Sequence, residues 1–215
     1  KSLLEKTLNY KNSQELSDIP QVTSLHSNFS NESYLTAITD IKEMIAAGDL
    51  YQTNLTRKFF GNFTTKQSQE SSFQLFYNLT RISPANYSAF LKLNNNHVIS
   101  SSPELFLRIE NGKIISRPIK GTAPRNKDPK QDEINRLSLQ NSEKEQAENL
   151  MIVDLVRNDL SRICRAGSVA TNNLFDITSY QNIHHLSSEV SGDILDEFSS
   201  LDAIKTCFPP GSMTG

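Results

Sequence analysis

Two side chains in this sequence can do covalent and acid–base work on one ligand. Lys120 stands directly before Gly121-Thr122 in residues 116–125 (SRPIKGTAPR), and Glu104 directly after Pro103 in residues 100–107 (SSSPELFL). A lysine held in partial desolvation supplies free amine as a nucleophile or base, and a nearby carboxyl can protonate a leaving hydroxyl. Pro118 fixes the backbone on one side of the lysine, Gly121 lets a ligand approach the main chain on the other, and Thr122 adds a hydroxyl. An ordinary ion pair on a solvated edge accounts for the same two charges, and most charged side chains end that way.

A second candidate group is acidic. Glu145 and Glu148 are three residues apart at the start of a helical apolar series (Leu150, Met151, Val153, Leu155, Val156, Leu160), so they project from one face a turn apart. Such a pair can hold a hard cation such as Mg2+, which takes a few carboxylates and completes its shell with water and substrate oxygens. It can equally complement the dipole of a helix N-terminus. Asp154, Arg157, Asn158 and Asp159, further along, read as buried polar ties between this helix and the sheet it crosses.

The elements that must position these groups can be read from spacing. Asn111-Gly112 between two alternating runs is a type I′ hairpin signal and predicts antiparallel partners at 104–109 and 113–119, whose outer ends bring Glu104 and Lys120 together. Helices are predicted at 31–48, 72–80, 131–139, 142–164 and 201–207. The first is capped at Asn31 or Ser33, stopped by Gly48, and carries Leu35, Ile38, Ile41, Met44 and Ile45 as a core stripe. Strands are predicted at 50–60, 168–171, 174–180 and 184–192, with a hairpin of 87–93 and 97–101 around Asn94-Asn95-Asn96 that leaves His97 solvated. Residues 1–30, polar and rich in Asn and Ser, read as a linker or peripheral segment, and 31–215 as one domain. Antiparallel hairpins with intercalated helices and no β-α-β rhythm give an α+β fold.

Composition sets the outer bounds. A formal net charge of -2 leaves no electrostatic case for nucleic acid or an anionic membrane, and no apolar run reaches the roughly 18 residues of a membrane span. Cys164 and Cys207 lack ligand spacing and read as reduced, buried thiols of a cytoplasmic protein. The chain begins at Lys1 and stops inside a glycine-containing loop, so it reads as a piece of a longer protein.

Five blocks, AGDLYQTNL, SSPELFL, PIKGTAPR, AENLMIVDLVRNDL and FPPGSMTG, resemble the chorismate-utilising enzymes, in that family's order and over most of residues 34–215. The resemblance implies two packed, mostly antiparallel sheets with flanking helices, incomplete at both ends here, and a substrate, chorismate. A lysine in the PIxGT block is typical of members that form aminodeoxychorismate with ammonia from a glutamine amidotransferase subunit, whereas anthranilate-forming members usually carry a small residue there. By the same resemblance Lys120 is the nucleophile and Glu104 the acid. Glu148 is a direct Mg2+ ligand, with Glu145 acting through water. Gly121, Thr122, His185 and Ser212 bind substrate, with Ser212 supplying a hydroxyl in a carboxylate-holding loop. Gln52 matches a position where water-adding members carry a lysine base. A neutral amide cannot act as that base, which argues against isochorismate or salicylate formation. Strand alternation turns His184 to the face opposite His185. Anthranilate formation, and a catalytically incomplete binding or structural module, are the competing readings.

Overall fold

The structure, a computed structural model, describes residues 22–63 and 69–214. In chain order the elements are β1 (Val22–Ser27), α1 (Asn31–Ala47), β2 (Phe59–Phe63), α2 (Gln69–Ile82), β3 (Tyr87–Leu93), β4 (Asn96–Ser102), β5 (Leu105–Glu110), β6 (Lys113–Arg117), β7 (Ile119–Pro124), α3 (Pro129–Gln140), α4 (Glu143–Ser161), β8 (Ala170–Ser179), β9 (Ile183–Asp193), α5 (Ser200–Cys207) and α6 (Gly211–Thr214). They fall into two compact units, Lys1–Ser30 with Arg57–Ser102, and Asn31–Thr56 with Pro103–Gly215. Every strand pair is antiparallel, and with the helices this is the α+β class read from the sequence.

In the first unit, β3 and β4 form the predicted hairpin, with Asn94 at φ 52° in its turn. Helix α2 is fastened to it by an aromatic trio, Phe73, Phe76 and Phe90, with centroids 5.5–5.9 Å apart. His97 is not free in solvent at the turn: its ring lies 5.3 Å from that of Phe90. The strand expected over 50–60 is confined to Phe59–Phe63, because its partner β1 ends at Ser27, opposite Phe59. Beyond that pair the chain is held by Lys58 N–H donating to Asn28 Oδ1 and Arg57 Nε to Ser27 Oγ. Residues 1–21 of the segment read as a linker lie outside the described residues, and 22–27 are strand rather than linker.

The second unit holds a five-stranded sheet built on β9, with β8 along one side and β6 then β7 in succession along the other. The turn between β5 and β6 has Asn111 at φ 51° and Gly112 at φ 74°, the two positive values that Asn-Gly predicts. The expected hairpin partnership of Ile119 with the 104–109 strand is corrected. Pairing of β5 with β6 stops at Leu105–Arg117, and Ile119 pairs instead with Ser187 of β9. Pro118 causes the break, since it has no N–H to give a ladder; its carbonyl takes the Ser188 N–H at 3.3 Å.

Helix α3 begins at Pro129 on an Asp128 cap, and α4 at Glu143 on the predicted Ser142 cap. α4 ends at Ser161, earlier than the periodicity suggests, because Ile163 and Cys164 turn back onto the Leu160 carbonyl. Its buried residues Val153 and Leu160 meet Ile114, Val190 and the two free cysteines in the core, and Ile152 is also fully buried. The strands expected at 168–171 and 174–180 are one strand, β8, irregular between Asn172 and Asp176 where Asn173 and Phe175 have positive φ. Two expectations fail on burial. α1 forms where predicted, yet buries no residue. Asp154 and Arg157 are exposed and pair with each other at 3.0 Å instead of tying α4 to the sheet. Among the described residues, no helix is long and apolar enough to cross a membrane.

Candidate active site

The site is organised by an irregularity in β7. Ile119 pairs with Ser187 and Thr122 with His185, so three steps on β7 face two on β9 and one extra residue is accommodated at Lys120-Gly121. Such a bulge re-aims side chains, and Gly121 adopts φ 92°, in the region that an L side chain enters only with strain. A Cβ at this position would stand 2.9 Å from Glu145 Oε2 and 3.1 Å from Leu139 Cδ1, so the glycine is what lets the α4 carboxylate close on the strand.

Around this bulge the fold gathers groups far apart in sequence. Lys120 Nζ donates to the Ser212 carbonyl at 3.0 Å, a contact across 92 residues that sets the amine against the FPPGSM segment. Glu104 Oε1 accepts the Ile119 N–H at 3.2 Å, so the acid is seated on the residue next to the lysine. Both side chains are half-buried. Thr122 stands in register with His185. Gln52, by contrast, lies in an irregular segment and not in the strand expected for it.

Glu145 and Glu148 behave as one anionic locus. Lys144 Nζ is 3.7 Å from an oxygen of each, although the lysine is largely exposed and this pairing is worth little to stability. Two carboxylates that share one ammonium can share one metal cation. Among the described residues no three His, Cys, Asp or Glu side chains gather as a ligand set, so this pair of carboxylates is all that the helix start offers a cation.

The adjacent histidines of β9 differ sharply. His184, 1% exposed, shares a hydrogen bond with Ser179 Oγ at 2.7 Å and another with Asp132 Oδ1 at 3.2 Å. The Arg125 guanidinium on Asp132, helped by the Asn126 N–H, holds that carboxyl well below the usual carboxylate range. This network fastens α3 to the sheet. His185, on the opposite face by alternation, is buried with its Nδ1 unpartnered among the described residues, and burial lowers its pKa below the ordinary 6.5, so the ring is neutral at pH 7. Its ring meets Tyr180 edge-on at 5.4 Å, and the Tyr180 hydroxyl reaches the Pro103 carbonyl beside Glu104 at 3.5 Å. Nothing in the sequence singles out Tyr180, because its link to Pro103 crosses 77 residues.

The family model described as "chorismate binding enzyme" matches residues 2–215. Aminodeoxychorismate synthase component 1 of Escherichia coli is 37% identical over 198 residues, covering 92% of this chain and 43% of that protein. Anthranilate synthase alpha subunit 2 of Oryza sativa is 35% identical over 189 residues, covering 88% of this chain and 30% of that protein. The crystal structure of anthranilate synthase component I from Streptococcus pneumoniae superposes with a TM-score of 0.78 at 25% identity, covering 99% of this chain and 46% of that one. The chain thus spans less than half the length of these relatives.

Proposed function

The chain belongs to the chorismate binding enzyme family, and from that premise we propose that it aminates chorismate at C4, giving 4-amino-4-deoxychorismate for folate-precursor synthesis. The ammonia would come from a glutamine amidotransferase partner. The observation that carries this reading is Lys120 on the β7 bulge, its amine held by the Ser212 carbonyl and its neighbour Ile119 bonded to Glu104.

The chemistry balances with these groups. The Lys120 amine attacks C2 of the ring, both ring double bonds shift by one place, and the C4–O bond breaks as Glu104 gives a proton, so the hydroxyl leaves as water. Ammonia then attacks C4, both double bonds return, and the lysine amine departs from C2. A carbonyl acceptor such as that of Ser212 takes one N–H and leaves the amine lone pair free to attack. Glu148 and Glu145 would hold Mg2+, which when bound neutralises the ring carboxylate. Neutral His185 can donate or accept a hydrogen bond at physiological pH, and Thr122 opposite it offers a hydroxyl to the substrate. Gly121 and the Ser212 hydroxyl would contact the substrate, the latter at a carboxylate. Gln52 supplies an amide and no base.

Incubation of the intact protein with chorismate and mass spectrometry of the denatured protein tests the nucleophile. The adduct forms with the parent and is lost in Lys120→Ala; an adduct that survives the substitution removes Lys120 from the role. The similarity to anthranilate synthases supports a second outcome, in which ammonia enters at C2 and pyruvate is then eliminated. Product analysis separates the two: intact aminodeoxychorismate supports the first, anthranilate the second.

A further inference from the structure

Helix α4 carries a buried polar group that the proposed reaction leaves unused. Asn149 follows Glu148, lies one turn beyond Glu145, and is 0% exposed. Its Oδ1 accepts the Ser188 hydroxyl at 2.5 Å. Ser188 Oγ in turn accepts the Phe175 N–H of β8 at 3.0 Å, and the Ser188 N–H donates to Pro118, two residues before Lys120. One amide therefore ties α4 to β8, β9 and the break between β6 and β7. Glu145, one turn earlier on the helix, closes on Gly121.

As a source of stability this amide is a poor choice. Its Nδ2 is buried without an acceptor among the described residues. An unsatisfied buried N–H costs more than the single bond made by Oδ1 returns. What the side chain does provide is a directional bond from the helix of the carboxylates to β9, the strand on which the lysine strand is paired.

Resting on the functional reading above, we propose that Asn149 is a positioning residue: its bond to Ser188 fixes how α4 seats on β7 and β9, and so the distance between the Glu145–Glu148 pair and the Lys120 amine. A misplacement of about 1 Å in a reacting geometry costs on the order of 100-fold in rate. A pin of this kind acts on the chemical step and leaves ground-state binding nearly intact.

The test compares Asn149→Ala, Ser188→Ala and the double variant with the intact parent protein, measuring kcat, KM for chorismate and thermal midpoint. The expected result is a fall in kcat of about 10- to 100-fold in each single variant, with KM within about threefold, a melting temperature close to the parent, and no further loss in the double variant. Ser188→Ala decides the matter if Asn149→Ala does not fold. The role is overturned by a kcat near the parent's in Ser188→Ala, by a rate loss matched by a rise in KM, or by losses that multiply in the double variant. A parent that does not turn over chorismate sinks the functional reading and this role with it, whereas an active parent matched by its variants sinks this role alone.

Discussion

Helices α1 and α4 belong to the same unit, are 17 and 19 residues long, and carry apolar residues at the same spacing, yet they meet opposite fates. α4 buries Asn149, Ile152, Val153 and Leu160. α1 buries none, and Leu35 is 64% exposed. Helical spacing states which residues share a face; whether another element meets that face is decided by long-range contact. In α4 the contact is the β7–β9 sheet, and the face that meets it presents Glu145 and Asn149 as well as apolar side chains. The helix that packs is therefore also the one that can position chemistry.

The largest stability difference between the two helices should come from truncating each stripe. Ile152→Ala removes a side chain that is 0% exposed and should cost about 2–5 kcal/mol. Leu35→Ala should stay within about 0.5 kcal/mol. Urea denaturation of both variants measures this, and equal losses would break the contrast by showing that α1 is buried in solution.

A smaller effect tests the seam between α4 and the sheet. Gly121→Ala forces a Cβ into a left-handed backbone at about 1–2 kcal/mol and against Glu145 Oε2 and Leu139 Cδ1. The Glu145 carboxylate is a flexible end and can yield, so the activity loss should exceed what the loss of stability explains. Unchanged turnover in the variant would uncouple Glu145 from the reaction.

What was legible in the sequence follows the same division. The Asn111-Gly112 turn, the Ser142 cap and the five central helices to within a few residues are local matters of φ, hydrogen-bond donors and period. The partner of β7 was not legible, because Pro118 passes Ile119 from β5, a few residues away, to β9, nearly seventy residues on. Residues 50–58 have strand-like composition, but β1 ends before it can pair with them. For the site, residue types pointed to Lys120, Glu104 and Glu145, while the contacts that seat them, Ser212, Ile119 and Gly121, depend on the bulge. Asn149 and Tyr180 carry no local signal: a buried amide in an apolar helix and a strand-end tyrosine acquire meaning only from what lies across the sheet.

The two faces of β9 give the finest version of the contrast, since His184 is bonded at both nitrogens and His185 is not. Burial lowers the pKa of His185 in the folded state below 6.5, so the folded protein resists a proton that the unfolded chain accepts. Its contribution to stability is thus complete above pH 6.5 and is lost as pH falls from there toward the depressed folded value, with a slope no steeper than about 1.4 kcal/mol per pH unit for one proton. Asp132, whose pKa is also lowered, acts in a separate window, since its unfolded value is 3.8 and its contribution is lost only as pH falls below that range. Melting temperatures of the parent and His185→Gln measured from pH 7.5 to 5, a range set around that ordinary value of about 6.5, should therefore diverge, the parent falling more steeply below pH 6.5. Parallel curves would mean that His185 charges freely in the folded state, and that its face of the strand is open to water.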